Sequence, residues 1–246
     1  MMALLEIQQL NVEFACEDGP SQAVKNTDFS IEPGEFISIV GESGSGKSVT
    51  SLALMGLLPD SAKVTANRLN FNGKDLLTIS DAERRQMVGK DISMIFQEPL
   101  TSLNPCFTVG YQLEETLAIH KQLAPKERYH QCIELLESVG IPDAPRQMKA
   151  YPHQLSGGMC QRVMIAMAIA CCPKLLIADE PTTALDVTIQ AQILDLLIEL
   201  NEKRNVAIIL ITHDLAVVSE TADKVIVMKQ GEIVEKGQTM DILQNP

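Results

Sequence analysis

The segment that most restricts how this chain can fold is the glycine-rich stretch Gly41–Ser48, GESGSGKS. It matches the pattern GxxxxGK[ST] at every fixed position. The apolar run Phe36–Val40 before it predicts a buried strand, and Ser48–Leu58 after it has helical spacing, with Pro59 expected to end the helix. A strand, a small-residue loop and a helix N-terminus in this order surround an anion with backbone N–H groups, so we expect a phosphate-binding loop. A glycine-rich turn without a ligand is the alternative.

The positions of this loop have distinct predicted roles. Gly41, Gly44 and Gly46 let the backbone approach a phosphate closely. Lys47 would place its charge on the terminal phosphates of a nucleotide, and Ser48 would offer its hydroxyl to Mg²⁺. The nucleotide-binding residues predicted from this stretch are Gly41, Glu42, Ser43, Gly44, Ser45, Gly46, Lys47, Ser48 and Val49.

The composition limits the partners of such a loop. The chain has 246 residues with a formal net charge of −12, and 46% of its residues are hydrophobic. The hydrophobic fraction excludes global disorder, and the negative charge argues against a nucleic-acid partner. The longest apolar run, Val163–Cys172, stops at Pro173 and is shorter than the ~20 residues of a membrane-spanning helix.

Strands and helices alternate along much of the sequence, which predicts an α/β fold with parallel crossovers. Between residues 99 and 152 the pattern is helical with no convincing strand, so we expect a helical insertion there. The predicted strands cover residues 4–14, 36–40, 66–73, 91–96, 174–178, 206–212 and 224–228. The predicted helices cover residues 109–120, 126–139 and 161–171, with a further helix carrying apolar positions between 189 and 200.

Polar residues that follow apolar strands are candidate catalytic groups, because α/β proteins bind ligands at the carboxyl ends of their strands. Asp179 and Glu180 end one such run; Asp179 could hold Mg²⁺, and Glu180 could act as general base for a water. Gln97 also follows a strand and could contact Mg²⁺ or water, and His213 follows another and could contact the γ-phosphate. Alternatively, Asp179 and Glu180 are solvated acids that close a strand, and His213 is a structural residue that only makes hydrogen bonds. Phe14 could stack on adenine, but it fits the core equally well.

A second candidate anion site is the segment Leu155–Met159, LSGGM, just before a predicted helix. It presents Ser156, Gly157 and Gly158 close to a helix N-terminus. The alternative is a simple N-cap, with Ser156 capping the helix.

Taken together, these motifs resemble the ATP-binding subunits of ABC transporters over nearly the whole chain. In order, they are the Walker A loop Gly41–Ser48, the Q-loop residue Gln97, the signature LSGGM, Walker B at Leu175–Asp179 with Glu180, the D-loop Ala184–Asp186 and the switch residue His213. The stretches 41–58, 94–110 and 151–197 are most similar to the branch that imports dipeptides, oligopeptides or nickel.

The resemblance implies a P-loop NTPase fold with an N-terminal β subdomain and an inserted α-helical subdomain. One ABC ATPase domain would fill residues 1–246, with the core and β subdomain in 1–97 and 174–246 and the helical insertion in approximately 98–173. It also implies ATP and Mg²⁺ as cofactors, with Ser48, Gln97 and Asp179 at the metal. Glu180, His213 and Gln97 would be catalytic.

The resemblance further implies that two ATPase subunits, identical or merely related, close head to tail. Ser156, Gly157 and Gly158 would then contact the partner's ATP, and Asp186 would also line the nucleotide site. Two transmembrane permease subunits would be direct partners, and a periplasmic or extracellular peptide-binding protein an indirect one. The subunit would lie peripherally on the cytoplasmic face of the cell (inner) membrane.

Two departures from the family and two other classes of function bear on this interpretation. Cys160 stands where relatives often have a basic or small residue. The branch usually continues past the equivalent of Pro246 with an extension that in many members carries clustered cysteines and can hold an iron–sulfur cluster. The six cysteines lack metal-site spacing, so we expect buried free thiols and no cluster. An ABC ATPase acting on DNA or ribosomes would need a long coiled-coil insertion, a second ATPase domain or a basic face, and none of these is visible in the sequence. A non-hydrolysing scaffold is disfavoured by Glu180 and His213.

Overall fold

The computed structural model describes residues 3–16, 19–182 and 187–244, and for Pro99 and Leu100 the backbone alone. It divides into unit 1, Met1–Arg85 with Asn205–Pro246, and unit 2, Gln86–Arg204. The strands are β1 (Leu5–Phe14), β2 (Ser21–Ile31), β3 (Phe36–Val40), β4 (Ala62–Thr65), β5 (Arg68–Phe71), β6 (Lys74–Asp75), β7 (Ile92–Ile95), β8 (Leu175–Asp179), β9 (Ala207–Ile211), β10 (Lys224–Lys229) and β11 (Glu232–Gln238).

The helices are α1 (Lys47–Met55), α2 (Asp81–Met87), α3 (Pro99–Ser102), α4 (Val109–Lys121), α5 (Pro125–Ser138), α6 (Ala144–Gln147), α7 (Gly157–Ile169), α8 (Val187–Arg204), α9 (Leu215–Thr221) and α10 (Thr239–Gln244). Residues Pro152–Gln154 form a short 3₁₀ turn. In the part of the chain that the structure describes, no helix is both long and apolar enough to cross a membrane.

Unit 1 contains an antiparallel sheet in the order β2-β1-β5-β6, with β4 also paired to β1. Its long strand β1 buries Leu5, Ile7, Leu10 and Val12 while its intervening residues are more exposed, which is the alternation that predicted a strand here. The prediction missed β4, whose four residues, AKVT, are too few to show a clear alternation and are only half-buried at best.

The parallel part of unit 1 is formed by β10, β3 and β9, with β11 added antiparallel to β10. Both β3 and β9 are buried at every position, as their continuous apolar runs predicted. Val40, Val218, Val225 and Ile242 pack into one cluster of this core. The prediction missed β11 because this strand alternates between exposed and half-buried residues.

Unit 2 contains the parallel pair β7 and β8 together with α3 to α8. The predicted helices in this unit are present, with shifted ends. A local device fixes the start of α4, because the side chain of Thr108 accepts a hydrogen bond from Tyr111 N. The buried amide of Gln112 accepts from Asn104 N and donates to Phe107 O, which holds the preceding loop.

Two predicted helix ends are wrong, each for a local reason. The helix after the glycine-rich loop ends at Met55, because Gly56 adopts a left-handed conformation with φ 67° and its N–H bonds back to Ala53 O. Pro59 therefore does not terminate it. The helix expected from residue 161 begins at Gly157, because Ser156 already occupies the capping position.

The expectation that the cysteines are buried is only partly right. All six are free thiols, but Cys16, Cys106 and Cys172 are exposed. Cys132 and Cys160 are buried, and burial raises the pKa of the Cys132 thiol to about 12.

Candidate functional site

The glycine-rich loop connects β3 to α1 in unit 1 and is anchored from the β10–β11 turn. The N–H of Gly231 in that turn donates to Ser45 O at 3.0 Å. Gly46 has φ 100°, and a Cβ placed on it would lie 2.6 Å from Ala23 O, so no other residue fits at this position. The hairpin that sequence analysis missed therefore helps to shape the predicted phosphate loop.

Lys47 is the best-defined side chain of this loop. It is 6% exposed, and its Nζ donates to Gly41 O at 2.7 Å and to Glu42 O at 2.9 Å. The ammonium group thus crosses the inside of the loop and satisfies carbonyl groups at the loop's start. A buried charge is stable only with such partners, so Lys47 fixes the loop's shape.

The start of α1 can accept an anion. Its N-cap is Gly46, which has no side chain to bond the N–H groups of the first turn. The preceding residues Glu42, Ser43 and Gly44 are exposed, Ser45 is buried, and Ser48 and Val49 are half-buried. An exposed loop leading into a helix without a capping side chain fits a phosphate group.

In unit 2 the structure brings Gln97 and Glu180 together. They follow β7 and β8, which are neighbouring parallel strands, and Gln97 Nε2 donates to Glu180 Oε2 at 3.2 Å. Asp179, the last residue of β8, is 5% exposed. The backbone of Glu180 has φ 46°, a left-handed conformation that residues other than glycine rarely adopt. Such a conformation persists only where surrounding contacts hold it.

The signature segment forms the start of α7, as the capping alternative predicted. Ser156 is exposed, and its Oγ accepts from Met159 N at 3.3 Å. Gly157 is also exposed. Gly158 faces α8, where a Cβ would lie 3.5 Å from Ile189 Cγ2.

The remaining predicted residues are more scattered. His213 is exposed and follows β9, next to Asp214, which caps α9 by accepting from Ala216 N. Phe14, at the end of β1, is half-buried. Asp186 and the D-loop lie outside the described residues.

Sequence analysis did not single out Gln161, whose amide is 2% exposed and donates to Pro181 O at 2.6 Å. The one signal for it was the polar pair Gln161 and Arg162 in a helix whose other side chains are apolar.

Comparisons with known proteins agree on one family. The family profile described as "ABC transporter" matches residues 24–183. The dipeptide transport ATP-binding protein DppD of Escherichia coli (strain K12) is 57% identical over 245 residues, which are 100% of this chain and 75% of that protein. The oligopeptide transport ATP-binding protein OppD of the same organism is 51% identical over 244 residues, covering 99% of this chain and 72% of OppD.

Solved structures give the same result for the fold. The dimeric structure of a post-hydrolysis state of the ATP-binding cassette MJ0796, bound to ADP and Pi, matches with a TM-score of 0.86 and 29% identity. The match covers 96% of this chain and 98% of that one. The structure of cbiO1 from Clostridium perfringens, part of an ABC transporter complex, has a TM-score of 0.81 at 29% identity, covering 100% and 92%.

Proposed function

The chain belongs to the ABC transporter family, and we propose that it is the subunit that hydrolyses ATP to drive uptake of dipeptides or oligopeptides. The family and the α/β fold expected from the sequence are confirmed, and with them an ATPase function. The observation that carries the proposed cargo is the 57% identity to a dipeptide transport ATP-binding protein along the whole chain.

The phosphate groups of ATP would be held by residues 41–49. The loop offers backbone N–H groups at the start of α1. Lys47 would supply the positive charge, and its contacts with Gly41 O and Glu42 O hold its ammonium group inside the loop. Phe14, half-buried at the end of β1, would stack on the adenine ring.

Mg²⁺ would be held by Ser48, Gln97 and Asp179. A hydroxyl, an amide oxygen and a carboxylate are the hard oxygen ligands that this ion prefers, and the carboxylate of Asp179 is shielded from water. When bound, the ion neutralises negative charge on the phosphate oxygens.

Glu180 would orient the attacking water and accept its proton. The hydrogen bond from Gln97 Nε2 to Glu180 Oε2 holds the carboxylate at the end of β8, which supports this role. His213, exposed after β9, would contact the γ-phosphate.

Hydrolysis would require a second ATPase subunit, identical or related. Ser156, Gly157 and Gly158 would contact the ATP held by that subunit, and Asp186 would complete the site. The exposure of Ser156 and Gly157 at the start of α7 supports this role. We also propose the domain division expected from the sequence, with the core and β subdomain in 1–97 and 174–246 and the helical insertion in 98–173.

The other partners would be two transmembrane permease subunits and, indirectly, a periplasmic or extracellular peptide-binding protein. The protein would then lie peripherally on the cytoplasmic face of the inner membrane. The relatives' names as transport proteins support these partners, and the net charge of −12 argues against nucleic acid. Import of nickel or another small solute, or a non-transport role, is the alternative.

The test is to purify the protein from native membranes with its permease subunits and to reconstitute the complex in vesicles. Dipeptides presented with their binding protein should stimulate ATP hydrolysis and be taken up. The complex with Glu180→Gln is the matched control and should do neither. Stimulation by nickel alone would contradict the proposed cargo. Purification without any membrane subunit would contradict the proposed role in transport.

A further inference from the structure

The amide of Gln161 connects the signature helix to the segment that follows the proposed catalytic glutamate. Gln161 lies on the second turn of α7, is 2% exposed, and donates through Nε2 to Pro181 O at 2.6 Å. Because Pro181 directly follows Glu180, this contact holds the peptide group that begins one residue after Glu180.

Glu180 needs such support. Its φ of 46° is unfavourable for a residue with a Cβ and persists only where neighbouring contacts enforce it. Gln97 holds the carboxylate at 3.2 Å, and Gln161 holds the following backbone at 2.6 Å. A side-chain contact and a backbone contact together restrict both the position and the direction of the carboxylate.

Helix α7 is itself a firm support. Gly158 faces α8, where a Cβ would lie 3.5 Å from Ile189 Cγ2, and Arg162 donates to Val139 O and to Gln192 of α8. The helix that begins with the signature motif is therefore held by its neighbours at the residue directly after Gln161.

We propose that Gln161 is a positioning residue for hydrolysis, which sets the conformation of Glu180 by binding the carbonyl of Pro181. This inference rests on the proposed role of Glu180. Helix α7 would then have two roles, since it would contact the partner's nucleotide at its start and hold the general base of its own subunit through Gln161.

The first test replaces Gln161 by Leu, which has similar volume but no donor, in the full ATPase complex. We expect kcat to fall about 10- to 100-fold, as misplaced catalytic groups do, with KM for ATP changed less than twofold. The matched control is Gln192→Leu, which removes the amide on α8 that Arg162 contacts, while Arg162 keeps its bond to Val139 O and Gln161 its bond to Pro181 O; its kcat should stay within twofold of wild type. Unchanged kcat in a folded Gln161→Leu protein, or an equal loss in both variants, would overturn the proposal.

A second variant separates positioning from general loss of structure. In Gln161→Glu the ionised carboxylate cannot donate to Pro181 O, whereas the protonated form can. Burial of position 161 should raise the pKa of the introduced carboxyl. The ratio of variant to wild-type kcat should therefore rise severalfold between pH 8.5 and pH 6.5, and taking the ratio removes the pH dependence of the wild-type reaction. A ratio independent of pH would count against the hydrogen bond. If instead Glu180→Gln retains full activity, the proposed function fails, and this inference fails with it.

Discussion

Two helices of this protein begin at proposed phosphate contacts, and they begin differently. Helix α1 follows Gly46, which has no side chain, and the charge of Lys47 is turned back into the preceding loop. Helix α7 follows Ser156, whose hydroxyl already accepts a hydrogen bond from Met159 N. Neither helix has an acidic residue in its first turn, which would repel a phosphate.

The difference shows how the same helix terminus can serve two purposes. The start of α1 lacks a capping side chain, so a bound phosphate would supply the acceptors that its N–H groups need. At the start of α7 the Ser156 hydroxyl already accepts from Met159 N within the same unit, so this helix start has a cap without a ligand. The cap does not exclude a phosphate, because a hydroxyl that accepts through its oxygen can still donate its hydrogen. We therefore expect α1 to bind ATP alone and α7 to contribute when a second subunit closes.

The largest effect is expected from removing the charge at α1. Lys47→Ala should abolish measurable ATP hydrolysis and weaken nucleotide binding, because the cation that faces the loop is lost. Steady-state hydrolysis and binding of a fluorescent ATP analogue would measure this. Lys63→Ala, at an exposed lysine of β4, is the control and should behave as wild type. Full hydrolysis by Lys47→Ala would remove the assigned role of α1.

The next effect tests whether binding and hydrolysis are separate steps. Glu180→Gln should slow hydrolysis about 10²- to 10⁴-fold, because the amide cannot accept a proton from water. ATP should still bind at α1. Because it is not hydrolysed, an ATP-bound dimer of this protein with its partner subunit should accumulate, and gel filtration would detect it. Glu137→Gln, at an exposed glutamate of α5, is the control. A monomer at every ATP concentration would contradict closure at α7.

A third variant acts at α7 alone. Ser156→Arg should leave ATP binding intact but lower hydrolysis about 100-fold or more, because a bulky cation would occupy the contact with the partner's nucleotide. The variant also loses a helix cap, which costs about 1 kcal/mol. Ser80→Arg is matched for that loss, since Ser80 Oγ accepts from Glu83 N at 3.3 Å before α2. Equal ATPase losses in the two variants would mean that Ser156 is only a cap.

How much of this could be predicted from the sequence depends on the range of the interactions. The loop before α1 and the strand ends at Gln97 and Asp179 were predictable, because short motifs and continuous apolar runs determine them locally. The anchoring of Ser45 by the Gly231 turn was not, because β11 carries the weak pattern of a polar strand. The contact of Gln161 with Pro181 joins residues far apart in the sequence, and no local pattern encodes it.

The smallest effect compares one glycine from each helix start. A Cβ on Gly44 or on Gly157 would meet nothing within 4 Å, so neither substitution is blocked by the protein itself. Gly44 has φ 77°, and alanine there should lower the free energy of unfolding by about 1–2 kcal/mol. Gly157 is the first residue of α7, and alanine there should raise the free energy of unfolding by about 0.5–1 kcal/mol.

Both alanine variants should nevertheless hydrolyse ATP more slowly, by about tenfold, because each methyl group would occupy space that we assign to a phosphate. Thermal unfolding without nucleotide and steady-state hydrolysis by the full complex measure the two effects separately. Gly157→Ala is the sharper case, since a variant that is more stable and yet less active cannot be explained by damage to the fold. If Gly157→Ala is stabilised and fully active, the space before α7 is not a phosphate site, and the serine at its start only caps the helix.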